Sequence, residues 1–221
     1  MPKFAAGVVK FQQEVFPDNA ELFEKLAQGQ SPEALFITCS DSRIETGMLT
    51  QSQPGDLFIV RNAGNIVPPH TLETGGTTAA IEFACTALNV PHIVICGHTQ
   101  CGAMHGAMHL EGLGALPHVR NWLSYARAAV EITNELGKDL DERARGLMLL
   151  EQNVILQLTH LKTHPAVAVR LARGDLRLHG WVYDIADGEV NAWDEARNRF
   201  EPVSQRYAAE VAKHLALHTH T

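Results

Sequence analysis

The sequence lacks several features that mark large classes of proteins. No stretch of the 221-residue chain approaches the roughly 18 consecutive apolar residues of a membrane-spanning helix. Basic residues do not predominate, because 18 lysines and arginines stand against 25 acidic residues and give a formal net charge of −7. Binding to nucleic-acid phosphates requires clustered positive charge. We therefore expect neither a nucleic-acid partner nor a membrane partner.

Cysteine is scarce, and the first residues do not resemble a secretory signal. These residues become amphipathic early and lack a cleavage site, which predicts an intracellular protein. In that compartment the 4 cysteines are expected to be thiols or metal ligands rather than disulfides. Two of them, Cys85 and Cys96, lie within apolar segments and are predicted to be core residues. The 12 histidines permit a metal site without locating one.

Short apolar strands alternate with helical segments along the first half of the chain. Residues 34–38, 56–61 and 92–96 have the pattern of buried strands, and residues 77–89 have that of a helix. Continuous apolar strands of this kind are typical of sheets that are covered on both faces. We therefore predict an α/β fold with a mostly parallel central β-sheet flanked by helices.

Both ends of the chain are predicted to extend from this sheet. Residues 1–30 show helical spacing and form a predicted N-terminal helical arm, with Asp18 and Glu21 at the spacing of a capping box. Residues 200–221 are predicted to form a helical or frayed C-terminal tail. Because no domain boundary interrupts the chain, residues 1–221 are expected to form one domain.

The second half is predicted to be mainly helical. Apolar residues recur at helical spacing over residues 117–136, 147–161 and 165–173. Two strands are then expected to flank a hairpin turn at Asp187 and Gly188, because Asp-Gly is a favoured pair in such turns. These elements supply the helices that would cover the sheet.

Histidine and cysteine follow two of the predicted strands. Cys39 comes directly after residues 34–38, and His98 and Cys101 follow residues 92–96. In parallel sheets, ligands gather beyond the carboxyl ends of the strands. Two thiolates and one imidazole suit zinc, which keeps an open fourth position in catalytic sites. The His-x-x-Cys pair alone is also compatible with a histidine that caps a turn and a cysteine that is buried as a small residue.

Asp41 and Arg43 lie close to the first of these residues. They are two positions apart and can form an ion pair if the segment is not helical. A carboxylate that arginine holds beside a metal-bound water can accept the proton of that water. Taken alone, the two residues could equally form a surface ion pair that contributes little.

Taken together, these motifs resemble those of the β-class carbonic anhydrases, and they look closest to the cyanobacterial-type branch. The resemblance rests on Cys-Ser-Asp-Ser-Arg at 39–43 and His-x-x-Cys-Gly at 98–102, and it extends over most of the chain. It implies the reversible, zinc-dependent hydration of carbon dioxide to bicarbonate and a proton. It also implies Zn²⁺ ligation by Cys39, His98 and Cys101, with Asp41 and Arg43 as the catalytic pair.

The resemblance further implies how substrate is held. Gln30, nine positions before Cys39, and the backbone N–H of Gly102 are the expected substrate-binding groups. One variant of the family closes its zinc with the aspartate and has a bicarbonate site built from Trp, Arg and Tyr. At the three corresponding positions this chain has Phe36 instead of the Trp, together with Arg61 and Tyr183, so the set is incomplete. We therefore expect zinc that remains open to substrate.

The resemblance also implies a homodimer or a higher homo-oligomer such as a tetramer. The N-terminal arm would pack on the partner, and the active sites would lie at the contacts between subunits. The resemblance suggests a cytoplasmic location, with a carboxysome as the alternative. Carboxysomal relatives have a long C-terminal extension that this sequence does not match. The alternative functions are hydrolysis of carbonyl sulfide or carbon disulfide by the same zinc, or a non-catalytic zinc-stabilised scaffold that binds bicarbonate.

Overall fold

A six-stranded β-sheet forms the centre of the computed structural model, which describes residues 1–218. The strands are β1 (Ala34–Cys39), β2 (Leu57–Asn62), β3 (His92–His98), β4 (Arg177–Tyr183), β5 (Val190–Asp194) and β6 (Arg199–Pro202). They lie in the order β2-β1-β3-β4-β5-β6. The first four strands in this order pair in parallel, and β5 and β6 continue the sheet antiparallel. The predicted, mostly parallel sheet is thus confirmed.

Helices precede, connect and follow the strands. In chain order they are α1 (Pro2–Lys10), α2 (Phe16–Asp18), α3 (Ala20–Leu26), α4 (Thr46–Thr50), α5 (Gly76–Thr86), α6 (Gly102–Met108), α7 (Pro117–Leu123), α8 (Arg127–Leu136), α9 (Glu142–Lys162), α10 (Pro165–Arg173), α11 (Val203–Arg206) and α12 (Ala208–His218). The long helix α9 packs against β3 and β4, and α10 packs against α5. No helix within residues 1–218 is both long and apolar enough to cross a membrane.

Strands β1 and β3, which lie side by side, are buried on both faces. Leu35 and Ile93 point toward the main core, and neither side chain is exposed. Phe36 and Val94 point to the opposite face, where Trp181 packs against them. Burial of each such side chain contributes about 1.5–3 kcal/mol, so this continuous apolar pattern holds the centre of the sheet together.

Three segments of the second half follow the sequence prediction closely. Helix α9 covers the predicted repeat of leucines, and α10 ends at Gly174, whose φ of 76° is the left-handed conformation that favours glycine after a helix. The predicted hairpin joins β4 to β5 around Gly188, whose φ is also positive, at 82°.

The helix predicted over residues 117–136 is instead divided, because a 3₁₀ turn at Ser124–Ala126 separates α7 from α8.

The segment predicted as a C-terminal tail begins with a strand. Residues Arg199–Pro202 pair with β5, and the Phe200 ring packs against Trp193 at a centroid distance of 5.3 Å. A four-residue strand that contains proline and charged residues has little periodicity, so its sequence alone gave no strand signal. The last part of the predicted tail, residues 219–221, lies outside the described residues.

The N-terminal arm is helical, as the sequence predicts, but its helices begin and end at residues other than those the sequence suggested. A π-helical turn at Phe11–Val15 joins α1 to α2, and Pro17 is tolerated because it lies in the first turn of α2. The predicted capping box is wrong, because Asp18 stays helical and Asn19 precedes α3. Asn19 caps no backbone N–H of α3, and its side chain donates to the Val15 carbonyl at 2.8 Å.

The arm leaves its apolar side chains largely exposed in the single chain. No residue of α1, α2 or α3 is buried. Phe4 is 69% exposed and Val8 is 57% exposed. Phe16 stacks on Phe23 with a centroid distance of 5.2 Å, so part of the apolar surface is covered within the arm. The remainder is available for contact with another surface.

Candidate metal centre

Three potential metal ligands meet at the carboxyl edge of the sheet. Strand β1 ends at Cys39, the neighbouring strand β3 ends at His98, and Cys101 immediately precedes α6. The sulfur atoms of Cys39 and Cys101 are 3.9 Å apart, and all three ligand atoms lie within 4.8 Å of one another. Because β1 and β3 are adjacent and parallel, their ends bring together residues that are far apart in sequence.

The His98 ring is oriented to offer a lone pair. Its Nδ1 lies 2.9 Å from the Thr99 carbonyl, so Nδ1 carries the proton and donates it there. Its Nε2 is buried, with no hydrogen-bond partner among the described residues. Leaving a buried polar atom unpaired costs about 1–3 kcal/mol. An unpaired Nε2 beside two sulfur atoms is what an imidazole ligand for a metal requires.

The two thiols have different pKa values. The pKa of Cys39 is lowered to about 4, chiefly by the hydrogen bond from the Cys101 thiol, although burial acts in the opposite direction. The pKa of Cys101 is raised because its thiol donates that hydrogen bond and is buried. One sulfur is therefore ready to ionise while its neighbour holds the proton.

The spacing of the donors fits zinc. Two sulfurs that each lie about 2.3 Å from a tetrahedral zinc ion are about 3.8 Å apart, close to the distance between Cys39 and Cys101. Two thiols and a neutral imidazole are also the donor types that zinc prefers. The residues present at this edge of the sheet therefore fit a catalytic zinc site with three protein ligands.

Asp41 lies beside this cluster and is held by Arg43. The guanidinium donates from Nε to Asp41 Oδ1 at 2.9 Å and from Nη2 to Oδ2 at 2.8 Å, and the Arg43 backbone N–H adds a bond to Oδ1 at 3.0 Å. These hydrogen bonds hold the pKa of the Asp41 carboxyl well below its usual range. Asp41 Oδ2 is 3.9 Å from His98 Nε2, so an ionised carboxylate borders the three ligands.

Sequence reasoning missed a residue that orients this pair. Gln100 accepts hydrogen bonds from Arg43, at its backbone oxygen at 3.0 Å and at its side-chain oxygen at 3.4 Å. Its φ of 55° lies in the left-handed region. Glutamine is not a typical residue for this conformation, so its type carries no such signal. Its place between His98 and Cys101 was the only clue.

Arg61, one of the residues that the family resemblance associates with a bicarbonate site, bonds to backbone carbonyls in the single chain. Its guanidinium donates to the carbonyls of Cys39 at 3.1 Å, Asp41 at 2.7 Å and Ile44 at 2.9 Å. These bonds hold the backbone of the segment that carries the first ligand and the carboxylate. In the single chain, Arg61 therefore stabilises the backbone next to the candidate metal centre, and its guanidinium is already engaged rather than free to bind an anion.

The two predicted substrate-binding residues lie in different places. Gly102 is the first residue of α6, next to Cys101, and a Cβ added there would meet no atom within 4 Å. Gln30 lies before β1, near Gly55, whereas Cys39 ends that strand. A six-residue strand spans about 17 Å between its ends. A single chain therefore brings Gly102 to the metal centre but leaves Gln30 at the opposite end of the strand.

The sequence of this chain is similar to those of known proteins. A family model described as carbonic anhydrase matches residues 34–190. A carbonic anhydrase of Pseudomonas aeruginosa is 46% identical over 199 residues, which cover 90% of this chain and 90% of that protein. A carbonic anhydrase of Synechocystis is 43% identical over 224 residues, which cover 99% of this chain and 80% of that protein.

Solved structures point the same way. The structure of the β-carbonic anhydrase CcaA matches with a TM-score of 0.89 and 42% identity, over 91% of this chain and 98% of that one. A structure described as one of two tetrameric β-carbonic anhydrases from the ascomycete Sordaria macrospora matches with a TM-score of 0.73 and 31% identity. That match covers 92% of this chain and 98% of the fungal one.

Proposed function

This chain belongs to the β-class carbonic anhydrases, lyases that interconvert carbon dioxide and bicarbonate, and we propose that it does so at a zinc ion held by Cys39, His98 and Cys101. The observation that carries the zinc assignment is the buried donor set, in which two sulfurs lie 3.9 Å apart beside an imidazole nitrogen that has no hydrogen-bond partner among the described residues. Hydrolysis of carbonyl sulfide or carbon disulfide and a non-catalytic scaffold are not favoured, because the relatives described above are all carbonic anhydrases.

The proposed reaction is CO₂ + H₂O ⇌ HCO₃⁻ + H⁺. Zinc in such a site lowers the pKa of a bound water from about 15.7 toward 7 and so supplies a nucleophile at neutral pH. Asp41 accepts a hydrogen bond from the attacking water and orients its lone pair toward the carbon of CO₂. Arg43 keeps Asp41 ionised for this task, and the bonds from Arg43 to Gln100 hold the arginine in place. The water oxygen forms the new bond to carbon, and a proton leaves to solvent.

Asp41 is proposed to stay out of the metal coordination sphere. Both of its carboxylate oxygens accept hydrogen bonds from Arg43, and these charge-assisted bonds hold the carboxylate in its present orientation beside the ligands. This supports the open form of the site expected from the sequence. The backbone N–H of Gly102 is proposed to donate to an oxygen of the developing bicarbonate, because it opens α6 beside the ligands.

We propose that the working form is a homodimer or a tetramer. Two features support it: the exposed apolar side chains of the arm, such as Phe4 and Val8, and the position of Gln30 far from Cys39 within one chain. In an oligomer the arm would pack on the partner, and Gln30 would reach the partner's site. Sedimentation tests this directly: a monomer at micromolar concentration that retains full activity would contradict it.

The zinc assignment is tested by removing and restoring the metal. Protein depleted by a chelator should lose CO₂ hydration in stopped-flow assays, and one equivalent of zinc per chain should restore it. Full hydration activity in metal-free protein would refute the assignment. If zinc-loaded protein turned over carbonyl sulfide or carbon disulfide but not CO₂, the substrate assignment would fail while the metal site stood. The cytoplasmic location stays a prediction, which cell fractionation tests against carboxysome association.

A further inference from the structure

We propose that Trp122 and Asn153 are positioning residues that clamp Gly64 from its two sides, so that its backbone N–H donates to the Cys39 sulfur and tunes that ligand. The inference rests on the proposed metal site, and it concerns residues that belong to none of the motifs above. The Gly64 nitrogen lies 3.4 Å from Cys39 Sγ. A hydrogen bond to a metal-binding sulfur fixes its position and withdraws electron density from it.

The first side of the clamp acts on the peptide that carries this N–H. The indole Nε1 of Trp122 donates to the Ala63 carbonyl at 2.8 Å. The Ala63 carbonyl and the Gly64 N–H belong to the same peptide unit, so the indole, the peptide and the sulfur form one continuous series of hydrogen bonds. Hydrogen bonds in series polarise one another, which strengthens the donation to Cys39.

The second side of the clamp comes from helix α9. Asn153 donates from Nδ2 to the Gly64 carbonyl at 3.1 Å, and its Oδ1 accepts from Gln157 Nε2 at 2.8 Å. The Gln157 oxygen in turn accepts from the Val67 N–H at 2.8 Å. Asn153 is 1% exposed and Gln157 is not exposed at all. Two buried amides that bond to each other and to Gly64 and Val67 act as a rigid support, because a shift would leave buried polar groups unpaired.

The packing around position 64 explains why this residue is a glycine. Its φ of 83° lies in the left-handed region, and a Cβ there would be 2.7 Å from Met104 Cε and 3.2 Å from Ala103 Cβ. Ala103 and Met104 belong to the first turn of α6, directly after Cys101. The loop therefore lies against the Cys39 sulfur and the start of α6 at a distance that leaves no room for a side chain at position 64, and the clamp holds it there.

Zinc affinity and the spectrum of cobalt-substituted protein test the clamp without relying on activity. Trp122→Phe removes the indole donor and keeps an aromatic ring, whereas Asn153→Leu removes the amide from the core. Outer-shell changes typically cost about 10–100-fold in metal affinity. We expect Asn153→Leu to weaken zinc binding about tenfold and Trp122→Phe to weaken it less. In both variants the sulfur-to-cobalt charge-transfer band should shift to longer wavelength, because the sulfur loses a hydrogen bond.

Trp181→Phe is the matched control. Its indole Nε1 also donates a hydrogen bond, to the Tyr207 hydroxyl at 3.3 Å, but on the other face of the sheet. It should keep wild-type affinity and spectrum. If Asn153→Leu does not fold, Trp122→Phe decides alone. Wild-type protein that binds zinc, with folded variants that bind it equally tightly and share its cobalt spectrum, would overturn the clamp only. Wild-type protein that binds no zinc would refute the metal site and the clamp together.

Discussion

Strand β3 carries a histidine at each end, and the two residues have opposite surroundings. At the carboxyl end, His98 Nε2 has no hydrogen-bond partner among the described residues and lies near two sulfurs. At the amino end, His92 Nδ1 is 3.1 Å from His179 Nε2, and His179 Nδ1 is 2.9 Å from the Tyr207 hydroxyl. One histidine offers a lone pair to a ligand, and the other is hydrogen-bonded to a neighbouring histidine ring.

The difference lies in what each end of the sheet meets. At the carboxyl end the chain leaves β1 and β3 in loops that turn Cys39 and Cys101 toward the same point. At the amino end, His179 is half-buried, and this burial, followed by the charge of neighbouring His92, lowers its pKa to about 4. Residue type alone therefore does not distinguish a ligand from a structural histidine. The hydrogen-bond partners of the ring nitrogens distinguish the two kinds of histidine.

The largest expected effect separates the two kinds of buried cysteine. Cys39→Ala should release zinc and abolish CO₂ hydration, because only one thiol and one imidazole would remain as ligands. Cys85→Ala is the matched control, since Cys85 is buried in the core and its pKa is raised by burial. It should keep one zinc per chain. Metal content and stopped-flow rates check both variants, and zinc retained at full stoichiometry in Cys39→Ala would remove Cys39 from the ligand set.

A smaller effect compares two aspartates that arginine holds. Asp41→Asn should lower the hydration rate about 10²–10⁴-fold, the usual range for a side chain positioned at the reacting proton, because a neutral amide accepts a hydrogen bond from the attacking water less strongly than a carboxylate does, while zinc content stays unchanged. Asp175→Asn is the control, because Asp175 accepts from Arg170 Nε at 2.9 Å but lies just before β4, at the amino end of the sheet. It should keep the wild-type rate. Equal rates in the two variants would break the assignment of Asp41.

How much of this could be predicted from the sequence depends on how local the signal is. The apolar strands could be predicted, and so could the meeting of Cys39 with His98, because both residues follow continuous hydrophobic runs. Gln100 could not be assigned, because its role depends on a left-handed backbone conformation. Asn153 was equally hidden, since an amide on a long helix becomes informative only when Gly64 is packed against it. Strand β6 was missed because it is short and polar.

The smallest effect concerns the amino end and changes stability rather than catalysis. The pKa of His179 is about 4 in the folded protein against 6.5 ordinarily, so the folded state favours its neutral form. The stability that results is complete above about pH 6.5 and is lost as the pH falls toward 4. By linkage, this loss is about 2 kcal/mol between pH 7 and pH 5.

His179→Gln should remove that component of the pH dependence. Denaturant unfolding at pH 7 and pH 5 measures it as the difference between wild type and variant. His105→Gln, at an exposed position on α6, should behave as wild type. If the free energy of unfolding of His179→Gln fell with pH as steeply as that of wild type, His179 would not be the source of the effect.

Zinc K-edge X-ray absorption on the zinc-loaded protein tests the central claim most directly. The account predicts two sulfur ligands at about 2.3 Å and a histidine nitrogen at about 2.0–2.1 Å, with one further light ligand. In Cys39→Ala loaded with the same excess of zinc, that two-sulfur signal should be absent. A wild-type spectrum with nitrogen and oxygen ligands but no sulfur would contradict a metal centre built from Cys39, His98 and Cys101.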